Sequence, residues 1–141
     1  MLLRTGVDLV DIDRLAGLNP AIRKRFLARV YTERELAEAA ERGEGQWATL
    51  AGRFAAKEAV AKALGCGIGP IAWREIEILR GEAGQPLLKL HGAAALVSQS
   101  LGIETWSVSI SHTRTQAVAF AAAVGQIHRE SSPQHEDPGR Q

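Results

Sequence analysis

Arg53-Phe54-Ala55-Ala56-Lys57-Glu58-Ala59-Val60-Ala61-Lys62-Ala63-Leu64-Gly65 reads as the end of one helix closed by a glycine. It carries charges of both signs among small apolar residues. At about 100° per residue, Ala56, Ala59, Val60, Ala63 and Leu64 gather on one side and suit a core. Lys57, Glu58, Ala61 and Lys62 gather on the other. Glu58 and Lys62 stand four apart, so they are neighbours on that face. Alone, such a pair is most often a solvated ion pair worth roughly 0.3–0.5 kcal/mol. Two further polar signatures in the chain argue for more.

The first lies near the start, in Gly6-Val7-Asp8-Leu9-Val10-Asp11-Ile12-Asp13-Arg14. Residues 2–10 alternate as a strand does, with Leu3, Val7 and Leu9 on one face and Arg4, Gly6, Asp8 and Val10 on the other. Asp is depleted in strand interiors. A carboxylate there must be paired, hydrogen-bonded or metal-bound. Asp11 and Asp13 are easier to explain, because either can cap a helix beginning at Arg14. The second signature lies near the end, in Trp106-Ser107-Val108-Ser109-Ile110-Ser111-His112-Thr113-Arg114. Trp106, Val108 and Ile110 form the buried face of a strand that runs into a polar turn and returns through 117–121.

Together these segments resemble the holo-[acyl-carrier-protein] synthases, the small phosphopantetheinyl transferases that act on carrier proteins. That family carries a G-x-D strand, an R-F-A-x-K-E-A-x-x-K-A-x-G helix and an S-I-S-H-T turn. All three are present here, in order. Leu50-Ala51-Gly52, Gly65-x-Gly67-Ile68-Gly69 and Gly84-Gln85-Pro86 also fit. The resemblance spans about residues 3–124.

The resemblance implies a reaction, a metal and a role for each matching residue. The reaction it implies moves the 4′-phosphopantetheine arm of coenzyme A to a serine of apo acyl carrier protein, in fatty acid (lipid) biosynthesis, and releases adenosine 3′,5′-bisphosphate. Asp8 and Glu58 match the family's two ligands for Mg²⁺, a cation typically held by one or two carboxylates plus substrate oxygens. By the same resemblance, Lys62 neutralises phosphate charge or protonates the leaving group, and Glu58 is the most economical base. Asp8, Glu58 and Lys62 thus form the implied catalytic set. Arg53, Lys62, Gly65, Ser111, His112 and Thr113 map onto regions that hold the coenzyme's phosphates, and Pro86 onto the loop near the adenine. Arg14, Arg23, Lys24, Arg25 and Arg29 would dock the acidic carrier. The family assembles as a homotrimer with sites between subunits.

The residues themselves set the fold class. Strand 2–10 is followed by helices near 13–18, 20–28, 33–42 and 46–64. Strands near 74–80 and 86–91 flank a turn at 81–85. A helix covers 93–101, and a last hairpin covers 104–124. Thr32-Glu33-Arg34-Glu35 has the form of a capping box. Short turns between strands imply antiparallel pairs, so the class is α+β. The resemblance agrees: a small antiparallel sheet wrapped around the long central helix, a 4′-phosphopantetheinyl transferase-like fold. Residues 1–125 are read as one domain, and 126–141 as a polar, disordered tail.

Composition bounds the rest. The chain has 141 residues and a formal net charge of +1. No stretch approaches the roughly 20 apolar residues of a membrane span. Arg4 and Asp8 interrupt any signal-peptide pattern, so a cytoplasmic protein without a membrane partner is expected. Cys66 is the single cysteine, which excludes an intrachain disulfide. Near-neutral charge and the lack of a readout motif argue against nucleic acid. A non-enzymatic nucleotide-binding module is the main rival. It would not need both Asp8 and Glu58.

Overall fold

The structure is a computed structural model and describes residues 1–127. Its elements are β1 (Leu2–Asp11), α1 (Ile12–Ala16), α2 (Pro20–Val30), α3 (Glu33–Ala40), α4 (Gln46–Leu64), β2 (Ile76–Arg80), β3 (Pro86–Leu90), α5 (Gly92–Ser100), β4 (Ile103–His112) and β5 (Gln116–Gly125). The expected strands and helices are all present. The sheet is divided in two: an antiparallel three-stranded sheet ordered β1-β5-β4, and a separate β2-β3 hairpin.

Both sheets pack on α4. Ala55, Ala56, Ala59, Val60 and Leu64 meet Ile76 and Ile78 from β2, and Ala119 and Ala121 from β5, in one core. A second core joins Ile12, Leu15, Val30, Tyr31, Leu50 and Ala51. Small residues allow α4 to lie close to the sheet. Gly6 is the extreme case: a Cβ there would run into the backbone carbonyl of Ala59. Gly65 ends α4 at φ +75°, which favours glycine, and its N–H donates to the carbonyls of Ala61 and Lys62. Asn19 caps α2, and Thr32 and Glu35 form the expected capping box on α3.

Three sequence readings need correction. The charged side of α4 is solvated only in part: Lys57 is fully buried and Ala61 nearly so, while Lys62 is exposed. Chain from α3 and the start of β2 covers Lys57. Lys57 Nζ donates to Glu35 Oε1 (2.8 Å) and to the carbonyls of Trp73 and Ile76. Burial lowers the Lys57 pKa, and the Glu35 carboxylate opposes that shift. Second, α1 begins at Ile12, and Asp11 occupies its cap position without a capping bond. The Asp11 carboxylate accepts from Gln116 Nε2 instead. Third, the bland ion pair that helix spacing offers between Glu58 and Lys62 does not form, because Lys62 pairs with Asp8 instead.

The alternation of β1 is as expected. Its polar side, with Gly6 buried, faces α4, while Leu3 (62 %), Val7 (55 %) and Leu9 (58 %) face outward and exposed. Val118, Phe120 and Val124 of β5 share that outer face. No helix among the described residues is long and apolar enough to cross a membrane.

Candidate active site

The close approach at Gly6 sets Asp8, two residues along the same face of β1, against the side of α4 that carries Glu58 and Lys62. Lys62 Nζ donates to Asp8 Oδ1 (3.1 Å) and to the Val7 carbonyl (2.9 Å). Both partners keep solvent access, so the pair is an exposed one of small stabilising value. Glu58 has no ion-pair partner among the described residues. Burial raises its carboxyl above the ordinary range, the Asp8 charge raises it further, and the Lys62 ammonium opposes both.

Two clefts meet at Glu58. One, of about 510 Å³, runs from Asp8, Asp11 and Glu58 along an apolar wall of Leu15, Leu18, Ile22, Phe26 and Phe54, with Arg14 at its edge. The other, of about 340 Å³, is lined by Glu58, Lys62, Gly65, Cys66 and Gly67. An anionic group entering the second cleft would meet the Lys62 ammonium beside the Glu58 carboxylate.

A second group of expected residues gathers elsewhere. Arg53, Pro86 and His112 line a cleft of about 180 Å³ together with Arg42, Thr49, Arg80 and Gly84. Arg53 is already engaged there: its guanidinium donates to the Glu35 carbonyl (2.9 Å) and pairs with Glu38 (3.0 Å). His112 Nδ1 lies 3.0 Å from the Thr113 carbonyl. A carbonyl only accepts, so Nδ1 carries the proton and Nε2 is the free acceptor. The Thr113 hydroxyl accepts from the Gln116 backbone N–H and serves the β4–β5 turn. Ser111 is exposed on β4. Within one chain Arg53, Pro86 and His112 line a cleft separate from those of the Asp8–Glu58–Lys62 group, and Ser111 and Thr113 line none of the three.

The basic residues of α2 also divide. Lys24, Arg25 and Arg29 are exposed, as is Arg14 on α1. Arg23 is not a free surface charge. It stacks over Trp47 at 5.1 Å, donates to the Leu18 carbonyl, and buries its Nε without a partner among the described residues.

The family model of the 4′-phosphopantetheinyl transferase superfamily matches residues 4–135. The chain belongs to this superfamily. A holo-[acyl-carrier-protein] synthase of Herpetosiphon aurantiacus is 46% identical over 131 residues, covering 88% of this chain and all of that protein. The Gloeobacter violaceus synthase is 44% identical over 126 residues, covering 86% and 92%. Among solved structures, the Neisseria meningitidis synthase superposes with a TM-score of 0.77 at 35% identity, covering 86% of this chain and 97% of that one. A Chronobacterium ammoniagenes synthase in complex with coenzyme A gives 0.78 at 30%, covering 89% and 99%.

For a phosphopantetheinyl transferase, the donor set fits a hard divalent cation. No cluster of three or more His, Cys, Asp or Glu exists among the described residues. Two carboxylates suffice for Mg²⁺ when substrate oxygens complete its shell. Asp8 and Glu58 repel one another across the cleft, and a cation between them would relieve that repulsion.

Two features escaped sequence reasoning. The apolar wall beside Glu58 is signalled by Ile22 and Phe26, four apart on α2, among basic residues that draw the reading to charge. Arg42 and Arg80, which join the second cleft, stand in a loop and at a strand end, where no pattern marks them.

Proposed function

We propose that this chain is a holo-[acyl-carrier-protein] synthase: it transfers the 4′-phosphopantetheine arm of coenzyme A to a serine of apo acyl carrier protein in fatty acid biosynthesis. The observation that carries the reading is the meeting of Asp8, Glu58 and Lys62, drawn from the two sides of a strand–helix contact, where an apolar and a polar cleft share Glu58.

In the reaction the carrier serine oxygen bonds to the β-phosphorus as the bond to adenosine 3′,5′-bisphosphate breaks. Glu58, directly or through a water, accepts the serine proton as general base. Lys62 gives hydrogen bonds or a proton to the departing phosphate. Asp8 holds Lys62 in place. Mg²⁺ held by Asp8 and Glu58 supplies charge neutralisation on the diphosphate when bound.

Arg14, Lys24, Arg25 and Arg29 receive the acidic carrier, and apolar side chains of its docking helix enter the cleft at Leu18, Ile22 and Phe26. This is supported by exposed charge beside an apolar wall. The protein works as a homotrimer in the cytoplasm, with residues 1–125 as the catalytic domain. What supports the trimer is the exposed apolar face of the β1-β5-β4 sheet, and the separation of Arg53, Pro86 and His112 from Asp8 within one chain. A neighbouring subunit's Arg53–His112 cleft then meets the Gly65 end of the first and completes the coenzyme site. The tail beyond residue 127 lies outside the described residues.

The test is release of adenosine 3′,5′-bisphosphate from coenzyme A, followed by chromatography. Release must require apo carrier protein and stop when its acceptor serine is replaced by alanine. Release at the same rate without any carrier would mean hydrolysis and sink the proposal.

A further inference from the structure

The side of β1 that faces α4 is a run of small contacts broken by one long cation. Gly6 removes all bulk, and β5 offers Ala119, Ala121 and Ala123 beside it. Arg4, half-buried on the same face, extends instead to the end of the helix. Its Nε donates to the carbonyl of Ala63. Its Nη2 fills the space beside Gly65, 2.6 Å from where a Cβ on that residue would stand. A cation on the last carbonyls of a helix satisfies acceptors that have no partner within the helix and complements its dipole. Arg4 does not line the cleft that holds Lys62 and Gly65. It stands behind the turn.

The strand and helix are therefore joined at three stations two residues apart: Arg4 on Ala63, Gly6 against Ala59, and Asp8 on Lys62. The last of these lies at the reacting end itself. We infer that Arg4 is a positioning residue that fixes the final turn of α4 and the Gly65 turn to the strand carrying Asp8, and so sets the coenzyme-facing end of the cleft. The inference rests on the assignment of that cleft to coenzyme A. A group that only stabilised the fold would lower the folded fraction and leave the kinetic constants of the folded enzyme alone. A group that positions Gly65 and Lys62 acts on coenzyme A and spares the carrier, whose docking residues lie on α1 and α2.

The experiment compares wild type, Arg4→Met and Arg4→Lys in transfer assays with apo carrier protein, coenzyme A and Mg²⁺, and in amide hydrogen exchange on the free full-length chain. Methionine keeps bulk and loses the donor; lysine keeps one donor for Ala63. Arg4→Met is expected to raise KM for coenzyme A on the order of tenfold, below the roughly hundredfold that a 1 Å misplacement can cost. The carrier KM should stay within about twofold. Exchange of the Gly65 amide, which bonds to Ala61 and Lys62, should accelerate, and Arg4→Lys should recover most of both effects. A lowered melting temperature with unchanged KM values and unchanged Gly65 exchange would overturn the inference. So would equal losses for coenzyme A and carrier. A wild-type chain that transfers nothing would refute the activity instead, and the exchange comparison would still decide the role of Arg4.

Discussion

Glu58 faces Asp8 across a half-buried cleft, and the Asp8 charge makes the Glu58 carboxyl harder to ionise. In metal-free protein the Glu58 carboxyl should titrate above the ordinary glutamate value. Replacing Asp8 by Asn removes a negative neighbour, so the Glu58 titration should move down. A ¹³C carboxyl titration in the presence of a chelator reads this directly, and an unchanged or raised midpoint would contradict the assigned contact. The base role gives a second expectation. Glu58→Gln should cost about 10²–10⁴-fold in kcat/KM, with the far-UV spectrum and melting temperature close to wild type, because the side chain has no hydrogen-bonded partner among the described residues to lose. Near-normal turnover would remove Glu58 from the chemistry. Asp8 and Glu58 were legible in the sequence as oddities, a carboxylate inside a strand and one on a helix otherwise rich in alanine. The pairing of Lys62 was not, since spacing along a helix offers Glu58 as partner and only the fold brings β1 alongside.

At the scale of elements, α4 is a helix buried nearly all round, and its internal charges are held by α3 and the β2–β3 hairpin. Lys57 and Glu35 are both fully buried and bonded to each other. Removing one partner should destabilise by about 3–5 kcal/mol, because the other charge is left uncompensated. Lys57→Met combined with Glu35→Leu should recover much of that loss. Urea unfolding of the two single variants and the double variant measures it, and a strictly additive double would show that the pair does not act as a unit. Gly6→Ala should cost about 3 kcal/mol or more, since backbone cannot yield to the added methyl as a side chain could. Element order was readable because caps, glycines and periodicity agree along the chain: Thr32 and Glu35 mark the start of α3, and Gly65 the end of α4. The orientation of β1 was less readable. Its more apolar side, Leu3, Val7 and Leu9, points away from α4. An apolar face left outside is a property of association, which pattern within one chain does not report.

For the whole molecule, that outer face is the expected contact between copies. Leu3, Val7, Leu9, Val118, Phe120 and Val124 bring exposed apolar side chains together on one sheet, as an interaction surface would. Sedimentation should give a trimer for wild type, and Phe120→Lys should give a folded monomer with little transfer activity. An active Phe120→Lys monomer would end the idea of a shared site. Sites built across subunits also predict rescue by mixing. Asp8→Asn and His112→Ala chains, each impaired alone, should regain activity when refolded together, since some interfaces then join an intact Asp8 cleft to an intact His112 cleft. The basic surface belongs to this scale too: raising salt should increase KM for the carrier far more than for coenzyme A. Transfer itself is read from the mass of an apo acyl carrier protein after incubation with this protein, coenzyme A and Mg²⁺, with and without chelator. A gain of about 340 Da, one phosphopantetheine arm, that disappears with chelator is the predicted result. An unchanged mass across several apo carriers, in protein shown to bind coenzyme A, would mean that this chain is not the transferase.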